Sequence, residues 1–278
     1  MLAALVIVFR EVIEAGLIVG IVLAATHGVA RRGMMVGYGI GAGVLGAALV
    51  AAFAGEIASL FAGSGQELFN ASVLLLAVAM LTWHNVWMSS HGRAIARDMR
   101  AMGADVAAGR RPPVALAVVV GIAVLREGSE VVLFLYGIAA SGGTTVAAMT
   151  AGGVLGVLAG AAVSALLYFG LLAIPTRRLF AVTTGLITLL AAGLASQAVA
   201  FLQQAGYLEA LSAAVWNSAW LLSEDSMLGR LLHTLIGYSE APSGLQLVAY
   251  LATIAVITGL MWLMPEAGAP AAKKQPAE

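Results

Sequence analysis

Cysteine is absent from this 278-residue chain. That excludes disulfides, thiolate metal ligands and thiol nucleophiles. Charge is scarce as well: Asp, Glu, Lys and Arg make up 10% of the residues, against roughly a quarter in soluble domains. So few charges cannot cover a water-facing surface. The formal net charge is +0, so no bulk attraction to nucleic acid or to acidic partners is expected. No Walker A sequence is present, so the chain does not hydrolyse ATP itself. It also lacks a His-Glu-x-x-His motif and an evident nucleophile–base pair, which argues against an intramembrane hydrolase. What it has in quantity is apolar sequence. Hydrophobic residues make up 61%, the mean hydropathy is +0.98, and there are 33 glycines. Glycine at this density suits close helix packing in a bilayer. The class is an all-α polytopic membrane protein.

A hydrocarbon core takes about 20 apolar residues as helix. Seven such spans are read at 2–28, 34–60, 67–90, 113–140, 144–174, 179–204 and 244–264. The first apolar stretch is too long for a signal-peptide h-region and has no basic n-region before it, so no cleavable leader is expected. Arg31 and Arg32, then Arg93, Arg97, Arg100, Arg110 and Arg111, then Arg177 and Arg178, then Lys273 and Lys274 all fall on one side of a seven-span chain. That side is cytoplasmic by the positive-inside rule, which puts the N-terminus outside and the C-terminus in the cytoplasm. The outer face is acidic, with Glu56, Glu67, Glu209, Glu224, Asp225 and Glu240. Residues 205–243 also hold Tyr207, Trp216, Trp220 and Tyr238. This outer segment is expected to lie partly in the interface as short helices. Residues 1–264 form one membrane domain, and the Ala/Pro/Lys-rich tail 265–278 is expected to be disordered.

Two copies of one motif lie inside apolar spans. Arg10-Glu11-Val12-Ile13-Glu14 is in span one and Arg126-Glu127-Gly128-Ser129-Glu130 is in span four. They are 116 residues and three spans apart, so the copies run in opposite directions through the membrane. Gly43-Val44-Leu45-Gly46 echoes Gly153-Val154-Leu155-Gly156, and Leu68-Phe69 echoes Leu179-Phe180. The architecture read from these is a 3+3 inverted repeat, about 1–92 and 112–204, plus a seventh helix at 244–264. Such repeats place the substrate site near the midplane, at the repeat interface.

On a helix, positions i, i+1 and i+4 share a face. Each motif therefore presents one arginine and two glutamates together. Ionised groups at bilayer depth are costly and mark functional sites. Glu11, Glu14, Glu127 and Glu130 offer up to eight carboxylate oxygens, a donor set for a hard, multiply charged cation. Arg10 and Arg126 orient them and reduce their mutual repulsion. Two other uses of the motif are a pair of helix-pinning buried salt bridges and a proton relay. The first leaves a glutamate of each motif unpaired. Further candidates are Glu67, Glu224 and Asp225, which could admit cations at the outer face or be ordinary solvated charges. His84 could be a release ligand near the cytoplasmic end of span three. The alternative is an interfacial residue among Trp83 and Trp87. Gln197 and Gln203 are suited to hydrogen bonds between helices. The eleven methionines form no soft-metal cluster.

The two motifs, together with Leu222-Ser223-Glu224-Asp225-Ser226, Leu228-Gly229, Leu232-His233, Gly237-Tyr238, Pro242-Ser243 and Tyr250, resemble the oxidase-dependent iron permease family over nearly the whole chain. The resemblance implies iron import across the cytoplasmic (inner) membrane, with the motif glutamates as iron ligands and no tightly bound cofactor. It implies that ferrous iron is oxidised outside and passed on as ferric iron, with an extracytoplasmic iron oxidase or peroxidase and an iron-delivery protein as partners beside membrane lipid. One position departs from the pattern: Asn217 follows Trp216 where the family pattern implies Asp. By the residues alone, manganese or lead would suit the same carboxylates. A scaffold subunit would not need four membrane glutamates.

Overall fold

The computed structural model describes residues 1–60, 66–140, 144–170 and 176–264. Its secondary structure is helical, with one isolated bridge between Ala214 and Ser243. The helices are α1 (Leu2–Ala25), α2 (Arg32–Leu60), α3 (Gln66–Ala107), α4 (Val114–Ala140), α5 (Val146–Tyr168), α6 (Thr176–Gln204), α7 (Met227–Ile236) and α8 (Gly244–Leu263). Five of them contain stretches long and apolar enough to cross a bilayer: Arg32–Ala54, Glu67–Gly92, Val146–Tyr168, Ala181–Gln204 and Gly244–Leu263. The two long helices outside that set, α1 and α4, are those that carry three motif charges each in mid-helix. The outward faces are apolar; Val154, Leu155, Val157 and Leu158 of α5, for example, are all exposed. Such a surface suits lipid and not water. The chain is a multi-pass membrane protein.

Packing pairs helices across the two halves of the chain. α1 lies against α5, α2 against α4, and α3 against α6. The first two contacts are parallel and use glycine for close approach. A Cβ on Gly152 would meet Met1 and Ala4, one on Gly156 would meet Leu5, Val8 and Phe9, and one on Gly160 would meet Phe9 and Val12. In the second pair, Gly39 meets Ala117 and Val120, Gly43 meets Gly121, Val124 and Leu125, and Gly128 meets Ala47. Two buried clusters fix the directions. Ala3 and Ile7 at the start of α1 pack with Phe134 and Ile138 near the end of α4. Val22 at the end of α1 packs with Leu116 and Val120 at the start of α4. α1 and α4 are therefore antiparallel.

The register of this pairing differs from the sequence echo. Counted from each motif arginine, Gly39 corresponds to Gly152, Gly43 to Gly156 and Ala47 to Gly160, an offset of 113. The Gly-Val-Leu-Gly match has an offset of 110 and so slips the alignment by nearly one turn. On a glycine-rich helix a near-turn slip leaves glycines facing similar directions, so the string match looks right. The Leu68-Phe69 echo cannot be compared, because the side chains of Leu179 and Phe180 lie outside the described residues.

Three element boundaries differ from expectation. α3 does not stop near residue 90. It runs 42 residues to Ala107 through the basic stretch, because Ala, Arg and Met sustain a helix there. It ends at Gly109 (φ 73°), where Arg110 donates to Asp105 at 2.7 and 2.9 Å. α5 ends at Tyr168 rather than extending to 174. The outer segment forms one helix, α7, and otherwise folds back on itself through polar contacts. Glu224 and Glu240 exchange reciprocal backbone-to-carboxylate bonds at 2.8 and 2.9 Å, and the Tyr238 hydroxyl donates to the Leu222 carbonyl at 2.7 Å. Gly237 is required at the end of α7. It has φ 70° and touches Gly193 of α6, so a side chain at either position has no room.

Candidate metal-binding centre

Both motif faces turn inward and meet beside α3. Arg10 Nε lies 2.8 Å from Glu14 Oε1, and Arg10 Nη1 lies 3.6 Å from Glu11 Oε1. On α4, Arg126 Nε donates to Glu130 Oε1 at 3.1 Å and lies 3.9 Å from Glu127 Oε1. These are the i,i+4 and i,i+1 pairs set by helical geometry, repeated on two antiparallel helices. Glu11, Glu14 and Glu127 are buried, at 1%, 3% and 3% exposure.

His84 of α3 sits between the two motifs. It is 2% exposed. Its Nε2 lies 3.4 Å from Glu14 Oε2 and 3.9 Å from Glu11 Oε2, while its Nδ1 contacts Glu130 Oε2. α3 continues a further 23 residues beyond His84, so what reads as a helix end is the interior of a long helix. One ligand atom from each of Glu11, His84, Glu127 and Glu130 lies within 4.8 Å of the others. Glu14, the remaining motif carboxylate, is drawn to Arg10 instead.

The carboxylates are only partly satisfied by protein donors. Both oxygens of Glu11 and one oxygen of Glu127 are buried without a hydrogen-bond donor, while Glu14 Oε2 and Glu130 Oε2 face only the His84 ring. Buried carboxylate oxygens left this way are costly. Glu11, Glu127 and Glu130 converge on one point, an arrangement that suits a cation. The formal charge is −2 when the four glutamates are ionised and the imidazole is neutral, which balances one divalent ion.

Sequence reasoning passed over two neighbours. Trp87, read as an interfacial aromatic, has the Arg126 guanidinium 4.3 Å from its ring centroid and stacks on His91 at 5.1 Å. Asn85 is 1% exposed and neither amide atom has a partner. The signal that flagged the motifs, polar groups inside an apolar helix, also covers His84 and Asn85.

The other candidates lie elsewhere. Glu67 is in the first turn of α3, about 25 Å along the helix from His84 at 1.5 Å per residue. Glu224 is engaged by the Glu240 backbone amide and lies 3.7 Å from His233 Nδ1. Asp225 is exposed on the same turn. Gln203 accepts from the Ser243 hydroxyl at 2.9 Å and so ties α6 to the cap of α8. Gln197 lines a small cavity with His233 and Gln246. The Asn217 side chain accepts from Ala219 N at 3.0 Å in a surface turn.

Two antiparallel apolar helices bring paired acidic motifs to one buried point of a membrane protein. Comparison with known proteins makes this specific. Residues 1–270 match the Iron permease FTR1 family, and the chain belongs to that family. It is accordingly a membrane transporter and not an enzyme. It is 31% identical over 271 residues to the "Ferrous iron permease EfeU" of Escherichia coli O6:H1, covering 96% of this chain and 97% of the relative. It is 30% identical over 271 residues to the protein of the same name from Yersinia pestis, covering 96% and 95%. No solved structure matches.

Proposed function

We propose that this chain imports iron across the cytoplasmic membrane through a centre built by its two Arg-Glu-x-x-Glu motifs. The observation that carries the proposal is the convergence of Glu11, Glu127 and Glu130 on one buried point, where both oxygens of Glu11 and one of Glu127 have no hydrogen-bond donor. Family membership and the relatives' names support iron as the cargo. The centre's formal charge of −2 favours divalent iron there, since a trivalent ion would leave a buried net charge. Ferric iron, delivered after oxidation outside, is the second reading; it rests on the hardness of four carboxylates and would bring an external oxidase or peroxidase and a delivery protein into play.

The membrane arrangement proposed is a 3+3 inverted repeat of α1–α3 and α4–α6 with α8 as a seventh span, N-terminus outside. The parallel α1–α5 and α2–α4 contacts and the antiparallel α1 and α4 support it, and the basic residues supply the orientation. Cysteines placed at the exposed positions Ser212 and Ala104 of this cysteine-free chain should label from outside and inside, respectively; reversed labelling rejects the orientation.

The deciding experiment is radioactive iron uptake into cells lacking other iron importers, with ferrous or ferric supply. The wild type should accumulate iron, and the Glu14→Gln/Glu130→Gln protein, inserted at equal level, should not. Ferrous supply sufficing without an oxidant supports the divalent reading. No glutamate-dependent accumulation with either supply sinks the iron assignment and moves manganese and lead forward.

A further inference from the structure

The surroundings of His84 are unusual for a core histidine. Such a residue normally satisfies its ring nitrogens with a carbonyl, a hydroxyl or water. Here both nitrogens are buried, neither meets a backbone carbonyl, and both face carboxylates. Nε2 faces Glu11 and Glu14 of one motif, and Nδ1 faces Glu130 of the other. One of these nitrogens lies within 4.8 Å of oxygens from Glu11, Glu127 and Glu130. The motif carboxylate that would otherwise be fourth, Glu14, is held by Arg10 at 2.8 Å.

We propose that His84 is the fourth ligand of the centre, giving a donor set of three carboxylates and one imidazole, and that this nitrogen sets the metal selectivity. The proposal rests on the reading of the motifs as a cation site. When one ring nitrogen binds metal, the other stays on a carboxylate across the ring, the arrangement that orients ligating histidines elsewhere. The selectivity follows from donor chemistry. Calcium and magnesium take oxygen donors, calcium six to eight of them. Imidazole suits first-row transition ions, iron among them. A site of carboxylates alone would admit the abundant hard cations, and one imidazole biases it against them. A purely structural His84, pinning α3 to α1 and α4, predicts the same burial but no metal–nitrogen bond.

The test uses full-length protein in liposomes, loaded with Mn²⁺ as a paramagnetic probe, with and without ¹⁵N-labelled histidine. Pulsed electron paramagnetic resonance should show modulation from a directly bound imidazole nitrogen that changes with the label. The signal should vanish in His84→Gln and persist in His233→Gln. In competition, Ca²⁺ should displace Mn²⁺ poorly from wild type, and the preference for Mn²⁺ should fall roughly tenfold or more in His84→Gln. His84→Asp, which restores a hard oxygen ligand, should bind Mn²⁺ and lose the preference equally. Mn²⁺ bound in a Glu127-dependent way but without nitrogen coupling, or an unchanged preference in both variants, overturns the role of His84 and leaves the motif site standing. Mn²⁺ binding that Glu127→Gln does not affect overturns the motif site, and the role of His84 with it.

Discussion

The Arg10 side chain on α1 is 2% exposed, whereas that of Arg126 on α4, the same position of the same motif, is 35% exposed. The partner glutamates follow suit, with the Glu14 side chain at 2% and that of Glu130 at 14%. The difference comes from the third helix of each repeat. α3 packs against both motif helices and brings His84 and Trp87 to them, whereas α6 packs chiefly on α3 and α8. At the turn of α6 that corresponds to His84, by the register that matches Leu74 with Ile187 and Leu81 with Leu194, stands Gln197. Two equal motifs thus meet unequal neighbours, and the packing buries one and leaves the other partly exposed. A bound ion would meet the α4 motif on the more accessible side of the centre.

The strongest way to break this comparison is to remove each arginine in turn. Arg10→Ala strands Glu11 and Glu14 in a buried place, and breaking a buried pair this way costs about 3–5 kcal/mol. Arg126→Ala should cost less, because its side chain is less buried and Glu130 keeps His84 as a partner. Thermal unfolding in detergent should show a large loss for the first variant and a small one for the second. Equal losses would mean that the two motifs are equivalent after all.

Next in size is the helix register. Gly156→Val places a branched side chain against the α1 backbone and should destabilise by about 1–3 kcal/mol. Gly153→Val points to open space and should leave stability unchanged. The opposite order would restore the string match over the packing register.

Trp87→Leu removes the ring beneath Arg126, an interaction of roughly 0.5–1 kcal/mol at a partly exposed site. Iron uptake should fall several-fold, with stability nearly intact, because only the open motif loses support. The smallest effect is expected at Glu67→Gln, far along α3 from the centre, where uptake should stay within about twofold. A loss as deep as that of the motif glutamates would place Glu67 on the ion path.

Legibility in the sequence followed the physics of each feature. The motif charges were readable because carboxylates in an apolar helix are too costly to be incidental. The antiparallel course of α1 and α4 was readable because three spans separate the two Arg-Glu-x-x-Glu motifs. The length of α3 was underread because hydropathy marks where apolar sequence ends and not where a helix ends, and α3 continues through a polar, basic stretch. The glycine echo was misaligned because small residues recur at near-turn spacing.

By itself, then, the sequence determined a membrane-embedded helical chain and two acidic motifs that each share one helix face, since these depend on composition and helical periodicity alone. Only the tertiary structure decided that α3 joins the centre, that an imidazole stands between the two motifs, that Glu14 is drawn to Arg10, and that one motif is sealed while its twin is not. Those outcomes depend on which helices touch, and contact between distant segments is set by packing that no local pattern encodes.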